Sequence, residues 1–125
     1  MIRPWRFFLP AWLGVAACGP AVDEREPSFP YIVDAILRPN CATASCHSTL
    51  AVAGGIELDA PATAWTFLLG PDGTGDYVVP GDPTASRLLY LLRAEDAPRM
   101  PPDAPLPAVD IALIEAWILE GAKPD

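Results

Sequence analysis

The sequence predicts a small all-α domain made of several short helices. Three observations carry this. Apolar residues recur at helical spacing in successive short stretches. The 16 prolines in 125 residues rule out a long regular bundle and a broad central sheet, since proline blocks helix interiors and sheet ladders. With 51% of residues hydrophobic, the chain has the means to bury one core and is not disordered by composition.

The first segment is not expected to belong to the fold. Met1 to Arg6 carries two bases and no acid, and Phe7 to Ala17 is uncharged. Eleven residues are too few to span a bilayer, which takes about 20 in a helix. A basic start, a short apolar run and small residues at its end make an export signal over 1–17. The run closes Val15-Ala16-Ala17-Cys18-Gly19, which resembles a bacterial lipobox. That resemblance implies cleavage before Cys18 and acylation of its thiol, with several acyl chains anchoring the protein in a lipid bilayer. Gly19 after the cysteine, by the same resemblance, favours the outer membrane, facing the periplasm. The alternative is an ordinary signal cut elsewhere. Residues 18–28 are polar and flanked by proline, and read as a short flexible tether. The folded part is then 29–122, with 123–125 as a tail. A domain of this size is near the limit for an unsupported core, so a disulfide, metal or cofactor is expected.

Phe29, Ile32, Val33, Ile36 and Leu37 form one face of a first amphipathic helix, with Ser28 as its N-cap and Pro39 as its stop. A loop with Gly54-Gly55 follows. Asp59 is placed to cap a second helix, with Pro61 in its first turn, Trp65, Leu68 and Leu69 on one side, and Gly70 at its end. Residues 70–76 are turn-rich, and Tyr77-Val78-Val79 is a short extended piece. Asp82-Pro83 has the form of an N-cap followed by a first-turn proline, opening a helix with Ala85, Leu88, Leu89 and Leu92 on one face. Residues 97–107 hold too many prolines for helix or central strand and form a stiff loop. The last helix covers 108–120 with few polar residues, so it is expected to be largely buried, and Gly121 stops it.

Charge excludes one class of function. The formal net charge is −8, and loss of Arg3 and Arg6 with the signal would leave all 16 acids against fewer bases. Such a surface repels phosphate, so no nucleic-acid partner is expected. A single histidine excludes His-His metal clusters and multi-histidine relays. The segment Asp72-Gly73-Thr74-Gly75-Asp76 lacks EF-hand spacing and reads as a plain turn.

The chemistry lies in two places. Setting Cys18 aside leaves Cys41 and Cys46, with four residues between them and His47 directly after. Two thiols can add to the vinyl groups of haem, and an imidazole next to the second is then placed under the iron. This is the logic of the c-type haem motif, here with a spacer of four rather than two. Ala42-Thr43-Ala44-Ser45 are small enough for the longer loop to bulge outward. A Cys41–Cys46 disulfide, a zinc site completed by a carboxylate, and a surface histidine are the alternatives. The second place is Met100, in Arg99-Met100-Pro101-Pro102. With no second histidine, a thioether is the natural sixth ligand of haem iron, and Met1 leaves with the signal. A methionine in a rigid polar loop suits a ligand better than a core filler.

The order of helix, Cys41…Cys46-His47, Val78-Val79-Pro80-Gly81-Asp82-Pro83, helix, Met100-Pro101-Pro102 and a last helix with Ala116-Trp117-Ile118 and Gly121-Ala122 resembles the cytochrome c family. It is most similar to the proline-rich cytochrome c-like domains of bacterial envelope proteins. The resemblance implies short helices around one covalently attached haem c. Cys41 and Cys46 would be the thioether attachments, His47 the proximal and Met100 the distal iron ligand. It implies that Phe29, Ile32, Val33 and Ile36 meet Ile111, Ile114, Trp117 and Ile118 where the terminal helices cross. It further makes Pro80 a candidate acceptor for the His47 ring N–H, and Arg87, Arg99, Tyr90 and Trp65 candidates to bind propionates. The function implied is electron transfer rather than catalysis, with a redox partner that presents a basic docking face. A haem sensor with an open iron site and a cofactor-free disulfide lipoprotein are the other classes.

Overall fold

The structure is a computed structural model that describes residues 23–125, apart from Thr74 and Asp76. The export signal 1–17, Cys18 and part of the 72–76 turn therefore lie outside the described residues. Among those described, the chain is helical and has no strands.

The first helix, α1, runs from Phe29 to Asn40 in three pieces: Phe29–Ile32 is α-helical, Val33–Leu37 π-helical and Arg38–Asn40 α-helical. Proline accounts for the wide middle turn. Pro39 has no N–H to give the carbonyl four residues back, and its ring crowds that carbonyl. The turn before it opens, so that the Arg38 N–H reaches the Val33 carbonyl, five residues back. Pro39 thus widens the helix rather than stopping it, and the Asn40 side-chain amide donates to the Ile36 carbonyl at 2.8 Å. Ahead of α1, in the expected tether, Arg25 pairs with Asp110 at 2.6 Å.

Helix α2 spans Pro61–Leu69, with Pro61 at its start and Gly70 after it at φ +79°. Its side-chain cap is missing. Asp59 is turned away toward Thr49 and Ala60 holds the N-cap place. Helix α3 spans Arg87–Arg93, starting later than Asp82-Pro83 promises. The Asp82 carboxylate does accept the Thr84 and Ala85 amides, both at 3.0 Å, but these close an isolated turn. Ser86 then interrupts. Its hydroxyl donates to the Asp82 carbonyl at 2.8 Å and accepts the Val79 N–H at 2.9 Å. The extended piece at 77–79 makes one antiparallel bridge, Val79 to Asp82, around Pro80-Gly81. Proline first and a glycine at φ +78° second give a type II turn. The Gly81 N–H then ties this turn to the Ile118 carbonyl at 2.7 Å.

Helix α4 spans Ala108–Leu119, followed by Gly121 at φ +100°. It crosses α1, and Phe29 stacks on Trp117 with ring centroids 4.6 Å apart and planes 17° from parallel. Phe29, Ile32, Val33 and Ile36 are buried against Leu113, Ile114, Trp117 and Ile118, with Ile111 partly buried at the edge. This is the packing expected for the terminal helices. Burial of α4 is one-sided, however. Val109 and Leu119 stay 55% and 59% exposed, because nothing among the described residues packs on that face.

Candidate functional site

The segment after α1 is a loop closed on itself. The Cys41 amide continues the helix by donating to the Leu37 carbonyl at 2.7 Å. The His47 amide donates back to the Cys41 carbonyl at 2.9 Å, and Cys46 to Thr43 at 2.9 Å. The spacer is thereby pinched at its base. Thr43, Ala44 and Ser45 are exposed, so it bulges outward as its small residues allow. Downstream, the Leu58 amide donates to the His47 carbonyl at 2.8 Å, and the Asp59 carboxylate accepts both the amide and the hydroxyl of Thr49. Those bonds, the amide first, hold the Asp59 carboxyl below the usual carboxylate range. Arg38 of α1 donates to the Asp59 carbonyl at 2.8 Å. Both ends of the Cys-His loop are therefore fastened to the helices flanking it.

One apolar cleft opens onto this loop. Leu37 and Cys41 line it from the end of α1, His47, Ile56 and Leu58 from the loop, and Leu68 from α2. Tyr77, the α3 residues Leu88, Leu91 and Leu92, and Met100 complete it. The structure thus brings Cys41, His47 and Met100 to one cavity. It leaves Cys46 off the lining, half-buried with its sulfur 3.7 Å from the Ser45 hydroxyl. Both thiols are free, and burial first, then the neighbouring Cys46, pushes the Cys41 thiol up to about 11. Met100 is 39% exposed at the mouth. Its amide is fixed to the Leu91 carbonyl at 3.0 Å, which keys the proline loop to α3.

His47 holds the most informative atom. Its Nδ1 is buried and has no hydrogen-bond partner. A bond from that nitrogen to Pro80, expected from the resemblance, is not made. A buried nitrogen without a partner is costly, and a ligand on the ring's other nitrogen would not satisfy it. Imidazole, thioether and thiol on an otherwise aliphatic wall form a donor set that fits haem iron and its vinyl groups. The cleft is narrow, with a volume of about 50 Å³, against roughly 300–1,000 Å³ for ligand pockets generally. A macrocycle would therefore have to part the proline loop from the walls facing it. Among the described residues no group of three or more His, Cys, Asp and Glu side chains could hold a metal ion, so the zinc alternative has no ligand set there.

The other candidate residues separate clearly. Trp65 gives its indole N–H to the Ala122 carbonyl at 2.9 Å, and Tyr90 is 63% exposed outside the cleft. Arg99 is spent on its own loop, donating to the carbonyls of Glu95, Pro101 and Pro102. Arg87 lies over the Tyr77 ring, 5.2 Å from its centroid, and so reaches the cleft wall. Sequence reasoning passed over Ile56, Leu58 and Tyr77. They sit in irregular segments without periodicity, and only the pairing of Leu58 with His47 and of Tyr77 with Leu68 and Leu88 puts them on the wall.

Residues 44–104 match the family model described as Planctomycete cytochrome C. Over these residues the chain is similar to a cytochrome c-like family. The match includes Cys46, His47 and Met100 and starts after Cys41. No curated protein and no solved structure matches the chain. The matched segment runs from within the spacer, through the cleft walls, into the Met100 loop.

Proposed function

We propose that the chain is a single-haem c-type cytochrome that carries electrons. The observation that carries this reading is the cleft, where the Cys41 thiol, the His47 imidazole and the Met100 thioether share one aliphatic lining. His47 and Met100 would be the axial ligands, with Cys41 and Cys46 the thioether attachments. Haem held there supplies a one-electron iron couple. The protein's part is to position the two ligands and exclude water. Leu37, Leu68, Leu88 and Leu92 keep the dielectric low. The cleft lining has no carboxylate, and His47 is the only histidine in the chain, so no acid-base pair is available for peroxide chemistry. That supports a carrier over a catalyst. Arg87 is the best-placed propionate partner.

Lipid anchoring through acylated Cys18 in the bacterial envelope, on the periplasmic side of the outer membrane, belongs to the same proposal. So does a redox partner with a basic docking face, which the acidic surface would steer. The exposure of Met100 favours a second reading, a haem sensor with an open iron site.

The deciding experiment is the intact mass of the chain exported alongside haem-attachment machinery, with its reduced visible spectrum. A gain of one haem that survives acid-acetone extraction, and is lost in Cys41→Ser/Cys46→Ser, is expected. A mass two hydrogens short, with no colour, means a Cys41–Cys46 disulfide and refutes the proposal. A wild-type chain that binds carbon monoxide as readily as Met100→Ala favours the sensor.

A further inference from the structure

The loop that carries Met100 is poor in backbone donors. Pro98, Pro101, Pro102, Pro105 and Pro107 have no N–H. From Glu95 to Pro107 the backbone bonds made by its own amides are Arg99 to Asp96 at 2.9 Å and Met100 to Leu91 at 3.0 Å. Such a segment cannot fix its shape by a ladder of main-chain bonds. One side chain supplies what the prolines lack. Arg99 Nη1 donates to the Glu95 carbonyl at 2.9 Å, Nη2 to the Pro102 carbonyl at 2.9 Å, and Nε to the Pro101 carbonyl at 3.3 Å. These carbonyls lie on both sides of Met100 in the chain. The guanidinium therefore closes a ring of backbone around the methionine, and the Met100 amide fastens that ring to α3.

The geometry points to Arg99 as the positioning residue for Met100, holding its thioether at the cleft mouth. This rests on the reading of Met100 as an iron ligand. The planar fork of arginine is what the role requires. Three carbonyls in different directions are met at once by fixed donors, which a lysine ammonium on a flexible stem cannot do. The same bonds occupy the donors that a propionate would need.

The test uses the exported haem-loaded chain, with Arg99→Ala, Arg99→Lys and Met100→Ala, alone and combined. The readouts are the ferric iron–thioether absorption band and the rate of carbon monoxide binding to the ferrous protein. Losing even one charge-assisted bond should free the loop enough for Arg99→Ala to bind carbon monoxide about tenfold faster or more. Arg99→Lys should fall between, at roughly threefold, since it restores one bond of three. In the Met100→Ala background, Arg99→Ala should change the rate less than about twofold, because no thioether remains to be placed. If Met100→Ala removes the band while both Arg99 variants keep the wild-type band and rate, the positioning role is wrong and the ligand reading stands. An equal acceleration by Arg99→Ala with and without Met100 also overturns it. If Met100→Ala leaves band and rate unchanged, the ligand reading itself fails and the inference with it. Should Arg99→Ala not accumulate, the band and rate of Arg99→Lys decide.

Discussion

The stack of Phe29 on Trp117 is the joint between the two terminal helices, and its strength can be worked out and tested. Phe29 is fully buried and Trp117 is 2% exposed, so both truncations leave cavities. Trp117 also gives its indole N–H to the Lys123 carbonyl at 2.8 Å. Replacing Trp117 with leucine should cost about 3 kcal/mol, the low end for large aromatic truncations because leucine refills part of the space. Phe29→Leu, which removes less volume, should cost about 1–2 kcal/mol. Offset stacking at 4.6 Å adds roughly 0.5–1.5 kcal/mol beyond area burial. The double variant should then be less destabilised than the sum of the singles by that amount. Against a total of about 5–15 kcal/mol for a domain, Trp117→Leu alone removes a large share. Its melting temperature should drop by about 12 °C or more, at about 4–8 °C per kcal/mol for this size. The assay is urea unfolding of all four proteins by circular dichroism, with the slopes compared to confirm a common transition. Additivity within about 0.3–0.5 kcal/mol would mean that the rings are neighbours without a specific interaction, and the stacked joint would be refuted.

Two further outcomes follow from buried polar groups. Ser86 is 2% exposed, and Ser86→Ala takes the acceptor from the Val79 N–H, so unfolding should show a loss of about 1–3 kcal/mol; an unchanged midpoint would mean water replaces the hydroxyl. In the chain produced without haem attachment, the Cys41 thiol, pushed up to about 11 from its ordinary 9.0, should carry roughly a hundredfold less thiolate at pH 7 than an unperturbed thiol. Its alkylation by iodoacetamide should climb about tenfold per pH unit through pH 10, read by peptide mass. A plateau below pH 9 would contradict its burial.

The stripe on α1 was legible because burial on one helix face leaves a periodic trace in the residues themselves, whereas α4 is apolar around most of its girth and does not show which side stays exposed. Starts and stops were less so, since side chains that cap can be claimed from elsewhere. Asp59 has the form of an N-cap for α2, yet Thr49, ten residues earlier in the chain, takes its carboxylate. Asp82-Pro83 looks like the start of α3, but Ser86 is drawn off by Val79, seven residues earlier, and the helix begins only at Arg87. The contact of Trp65 with Ala122 joins residues 57 apart and leaves no local signature. At the site, Cys41, His47 and Met100 stand out by residue type, and the fold puts all three on one cleft. The aliphatic partners Ile56 and Leu58 do not stand out, because an irregular loop has no period to betray which side faces inward.

The same economy runs through all three irregular segments of the domain. Each is too rich in proline, glycine or tight turns for regular main-chain ladders, and in each a polar side chain adds a latch to the turn bonds. Asp59 closes the Cys-His loop on Thr49, Ser86 closes the 79–82 turn, and Arg99 closes the Met100 loop. None of the three latches lines the cleft, yet the segments they fix supply His47, Tyr77 and Met100 to its walls. Helix packing then sets the overall frame, while placement of the donor atoms depends on three hydrogen-bonding residues outside the site. A substitution at any latch should therefore disturb ligand geometry before it disturbs the α1–α4 core, whereas changes at Phe29 or Trp117 should unfold the domain as a whole. That separation distinguishes a scaffold tuned through its loops from one in which site and core are a single cooperative unit.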